Sequence, residues 1–70
     1  MLSEFLLRRK MSRIITRLMQ RLDITPERAI DVFYQSDIGA MMHEEQYGLQ
    51  CMPDAYIVEE IILELQRKQG

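Results

Sequence analysis

Leu7, Met11, Ile14, Ile15, Leu18 and Leu22 recur at steps of three and four residues. At 3.6 residues per turn such steps gather their side chains into a stripe about 100° wide. The spacing predicts a long amphipathic helix from Leu2 to Leu22, and a stripe of that kind has to be covered by another apolar surface. A second pattern closes the sequence, where Ala55, Ile57, Val58, Ile61, Ile62 and Leu65 span an arc of about 160°, wider than an ordinary surface helix needs. Ile61-Ile62-Leu63 alone would suit a strand, but Glu59-Glu60 before it and Glu64 to Lys68 after it favour helix, so the last helix is expected from Asp54 to Lys68.

The middle of the chain reads as shorter helices. Thr25 is a good N-cap, Pro26 suits a first helical position that needs no amide proton, and Glu27 favours the positive end of a helix dipole. A helix is therefore expected from Pro26 to about Gln35, with Ala29, Ile30 and Phe33 inward and Val32 and Tyr34 on its flanks. Ser36 or Asp37 can cap a third helix carrying Ile38, Met41 and Met42, weakened by Gly39 and stopped at Tyr47-Gly48. Leu49 to Met52 reads as an extended connection, because the residue before Pro53 is pushed out of helical space.

The fold class is all-α, a compact bundle of three to four antiparallel helices with long first and last helices. Seventy residues suffice for one domain, 1–70, which at this size buries only about 60% of the surface its unfolded chain exposes. Met11-Ser12 resembles a second start, so residues 1–10 read as a variable N-terminal extension of the first helix.

The net charge of -2 hides a segregation. Up to Leu22 the chain has six basic residues (Arg8, Arg9, Lys10, Arg13, Arg17 and Arg21) against Glu4 alone. From Asp23 to Gln66 it has ten acids against Arg28. Lys10, Arg13, Arg17 and Arg21 fall within about 80° of one another, beside the apolar stripe. Either this row lies against acidic helices of the same fold, its stems covering apolar surface, or it docks a negatively charged partner, protein ahead of nucleic acid. Tyr56 and Leu63 share the side of the last helix that faces away from its apolar arc. With that wide arc they point either to full burial within the fold or to a partner surface, most simply a second copy of the chain paired through the first or last helix. Lys10, Arg13, Arg17, Arg21, Tyr56 and Leu63 are thus the candidate partner-binding residues.

Reactive chemistry is not indicated. His43-Glu44-Glu45 is too close in sequence to converge on a metal, since adjacent helical positions diverge by 100°. There is no HExxH, no CxxC, no second histidine and no phosphate-binding glycine motif. Cys51 lacks an orienting third group for nucleophilic work and reads as a small buried hydrophobe. The six methionines read mainly as core filler. The second and third helices have the lengths of a helix-turn-helix, but Asp37, His43, Glu44 and Glu45 would meet phosphates with the wrong charge. No catalytic residue, metal, cofactor or small-molecule substrate is expected, and the chain is not expected to be an enzyme. A lone cysteine suits a reducing cytoplasm, and neither a signal peptide nor a membrane span is read from the sequence.

Three short motifs carry a family resemblance: Asp23-Ile24-Thr25 leading to a helix with Ala29, Tyr47-Gly48-Leu49, and Asp54-Ala55-Tyr56-Ile57-Val58-Glu59-Glu60. On these, Ile14 to Leu65 resembles a family of small bacterial helical domains of unknown function. Its members often have a polar Gln-Ser pair before the final helix, where this chain has Cys51-Met52-Pro53. Genes of that family often stand next to those of ADP-ribosyltransferase-like toxin proteins. The resemblance therefore implies an accessory or antitoxin-like partner of a neighbouring gene product, with no catalytic residue. The alternative expectation is a nucleic-acid-binding regulator acting through the basic first helix.

Overall fold

The computed structural model describes residues 3–69, Glu45 by its backbone alone. Helix α1 runs from Glu4 to Leu22. The hydroxyl of Ser3 accepts the amide of Leu6, 3.2 Å away, and caps its start, while Leu2 lies outside the described residues. The helix ends where Asp23 turns left-handed (φ 53°, ψ 54°), and the amides of Asp23 and Ile24 both donate to the carbonyl of Met19. Helix α2 follows at Pro26–Gln35, with the Thr25 hydroxyl accepting the Arg28 amide. Helix α3 is Asp37–Met41 and helix α4 is Asp54–Gln69. Two single-turn 3₁₀ helices, Glu45–Tyr47 and Leu49–Cys51, connect them.

The stripe of α1 becomes the centre of the core. Ile14 and Leu18 are fully buried with Phe33 of α2, Ile57 and Ile61 of α4, and Met42 from the end of α3. Leu7, Ile15 and Leu22 pack around them, half-buried. Each such burial contributes about 1.5–3 kcal/mol. Helix α1 packs against both α2 and α4, and α3 bridges the other two. Ion pairs from α1 reach Asp54 near Lys10 and Arg13, then Glu59 near Arg21, so α4 runs alongside α1 in the same sense. Between α2 and α4 a cleft of about 110 Å³ remains, lined by Val32, Ile61 and Leu65 with Arg28, Glu64 and Lys68 at its edge.

The structure corrects four local expectations. Val32 is buried and Ile30 is exposed, because the face of α2 turned toward the core holds Ala29, Val32 and Phe33. The third helix stops at Met41 rather than near Gly48: the next residue, Met42, drops into the core and its carbonyl accepts the side-chain amide of Gln50 at 3.0 Å. Leu49 to Cys51 form a 3₁₀ turn, and only Met52, next to Pro53, is extended. Cys51 is exposed rather than buried. The methionines divide as well: Met11 and Met42 are buried and Met19 and Met41 pack on the core, but Met52 is exposed.

Gly39 is a packing residue rather than a helix weakener. A β-carbon there would lie 2.0 Å from the carbonyl oxygen of Phe33, so α2 and α3 meet at a distance that no larger residue permits. That closeness follows from Ser36, whose hydroxyl donates to the Phe33 carbonyl at 2.7 Å and accepts the amide of Gly39 at 2.9 Å.

Candidate interaction surface

The basic row of α1 lies along α4, and the acids at the α4 end of the seam decide what each cation does. Asp54, in the first turn of α4, stabilises that helix end by its negative charge and receives two cations. Lys10 donates to its Oδ1 at 2.8 Å and Arg13 to its Oδ2 at 2.7 Å. Lys10 also donates to the carbonyl of Met52 at 2.6 Å. The Arg13 hydrogen bond holds the Asp54 carboxyl below its ordinary range; partial burial opposes this, and Lys10 adds to it. Further along, Arg21 is hydrogen-bonded to Glu59 on the surface, which lowers the carboxyl pKa of Glu59 and raises that of the guanidinium.

This arrangement divides the six candidate residues. Lys10 is 7% exposed and belongs to the interior, a correction to its place in a docking row: its ammonium is enclosed by Asp54 and the Met52 carbonyl. Arg13 and Arg21 are each about half exposed and neutralised by Asp54 and Glu59. Arg17 alone in the row has no carboxylate partner among the described residues. It lines a shallow seam between α1 and α4 with Gln20, Arg21, Ala55, Val58 and Glu59. Tyr56 and Leu63 are 47% and 48% exposed on the outer face of α4. Packing of α1 on α4 therefore sets Arg17 and Arg21 against Ala55, Val58 and Glu59, in a seam that Tyr56 and Leu63 do not line.

Sequence reasoning singled out the cations but not their receivers, Asp54 and Glu59. The spacing of Asp54 at a helix start was visible; that it would also clamp α1 depends on how the helices pack. It also missed Glu64. Only 5% exposed, the Glu64 carboxylate accepts the amides of Asp37 at 2.7 Å and Ile38 at 3.2 Å and pairs with Lys68 at 2.9 Å. Burial works against its charge, but those amides and the ammonium outweigh it, and its pKa is lowered.

Among the described residues no three His, Cys, Asp or Glu side chains gather to hold a metal ion, and no helix is long and apolar enough to cross a membrane. His43 and Glu44 are exposed. Compared with protein-family models, with curated proteins and with solved structures, the chain has no match.

Proposed function

We propose that this chain is a non-catalytic protein–protein interaction module, an accessory or antitoxin-like partner of a neighbouring gene product that acts in the cytoplasm. The observation that carries the reading is the pairing pattern of the basic row. Lys10, Arg13 and Arg21 are consumed by the fold, whereas Arg17 keeps its charge for a partner, at the seam between α1 and α4. An accessible guanidinium on the α1–α4 seam, with Tyr56 and Leu63 exposed on α4, has the composition of a protein-binding surface, in which Arg and Tyr are favoured anchors. The same pattern argues against a nucleic-acid regulator, because neutralised arginines release few counterions from a phosphate backbone.

The test is co-expression with the product of the adjoining gene, for the native chain and for Arg17→Glu. The reading expects co-purification that Arg17→Glu abolishes. A complex indifferent to that change would overturn it, as would a salt-sensitive complex with duplex DNA in place of a protein one.

A further inference from the structure

The outer face of α4 is complementary to itself, and we propose that two copies of this chain pair through their α4 helices, antiparallel and centred on Leu63. The proposal rests on the reading that the domain binds protein and goes beyond it by giving the outer face of α4 an occupant of its own, a second copy of the chain. Seven residues separate Tyr56 from Leu63, so they stand two turns apart along one line of the helix. Both are about half exposed. Glu59 and Glu60 lie between them on that face, and Gln66 and Arg67 lie one turn beyond. Glu60 and Arg67 have no ion-pair partner among the described residues.

A two-fold axis through Leu63 sets Leu63 against its own copy. Glu59 and Gln66 lie to one side of the Tyr56–Leu63 line and Glu60 and Arg67 to the other, and the axis keeps each side against its like, so Glu60 faces the second copy's Arg67 and Glu59 its Gln66. The same contacts repeat across the axis, as a two-fold interface requires. Tyr56 of each copy falls about 4.5 Å along the axis from the second copy's Arg67, close enough for its ring to meet the guanidinium. Parallel pairing in register would instead oppose Glu60 to Glu60 and Arg67 to Arg67. Charge therefore selects both orientation and register, and antiparallel helix dipoles agree with it. One sixteen-residue helix, about 24 Å long, offers less than the roughly 800 Å² per partner of a standard interface. The dimer is accordingly weak and concentration-dependent.

Sedimentation equilibrium from about 10 µM to about 1 mM, at low and high salt, tests this on the full chain. The native chain should show a monomer–dimer equilibrium that salt weakens. Glu60→Lys and Arg67→Glu should each weaken it at least tenfold by opposing like charges. The double variant restores opposite charges and should recover dissociation to within about threefold, a rescue that misfolded variants would not give. Arg9→Glu, at an exposed position of α1, should leave self-association unchanged. A native chain that stays monomeric throughout, or a double variant no better than the singles, would overturn the dimer. If that monomer still co-purifies with the neighbouring product through Arg17, the protein-binding reading survives without the dimer.

Discussion

The ammonium of Lys10 is hydrogen-bonded to both Asp54 and the carbonyl of Met52, tying together residues 44 and 42 positions apart in the chain. One side chain of α1 thus fixes the start of α4. Replacing it with alanine leaves Asp54 largely enclosed, with only the half-exposed Arg13 for company. Lys10→Ala should cost about 3–5 kcal/mol, as loss of one member of a buried pair does. Arg13→Ala removes the exposed member and should cost about 1 kcal/mol or less. Urea melts of the two variants check the order; equal losses would show that Lys10 is not buried in solution.

Glu64 makes stability depend on acid in a defined direction. Its folded pKa is lowered, so the stabilisation is fully present above the unfolded pKa of about 4.3 and is lost as pH falls through the folded value. Asp54 is shifted the same way and adds to the same loss. Thermal melts should be flat from pH 7 to about pH 5 and fall steeply below about pH 4. Glu64→Gln should be less stable at pH 7 by about 1–3 kcal/mol, because two helix amides then compete for one acceptor oxygen. Its acid slope should be shallower than that of the native chain.

Gly39 tolerates no side chain. Alanine would place a β-carbon against the backbone oxygen of Phe33, and α3 would have to move away from α2. A loss of about 3 kcal/mol is expected from such overpacking. Chemical denaturation of Gly39→Ala measures it, and a change below about 1 kcal/mol would place α3 too far from α2 for that contact with Phe33.

Asp23 offers the opposite opportunity. It adopts a left-handed conformation that glycine enters without steric penalty, and it sets a negative charge at the negative end of α1. Asp23→Gly should therefore raise stability by about 0.5–1 kcal/mol, read as a higher denaturation midpoint.

Much of the architecture was legible because the helices announce themselves through period and caps. Thr25-Pro26 and the Ile14, Leu18, Ile57, Ile61 pattern led directly to α2 and to the core. The stretch from Met42 to Pro53 was not legible. Its course is set by Met42 sinking into the core and by Gln50 reaching a carbonyl eight residues back, neither of which has a periodic signature. The basic row was visible as a charge pattern, but its division into a buried lysine, two neutralised arginines and an Arg17 with no carboxylate partner among the described residues depends on where Asp54 and Glu59 arrive. A helical wheel drawn for one helix carries no information about its neighbour. Ile30 shows the same limit: its position on α2 suits burial, but α1 and α4 approach from the side of Val32.

Glu64 supplies the acceptor for the first two amides of α3, a helix of five residues that is far too short to persist alone. Proton exchange at Asp37 and Ile38 is therefore a gauge of whether the C-terminal helix is seated. Two backbone signals in a heteronuclear spectrum would report, without any label on α4 itself, each occasion on which it lifts away.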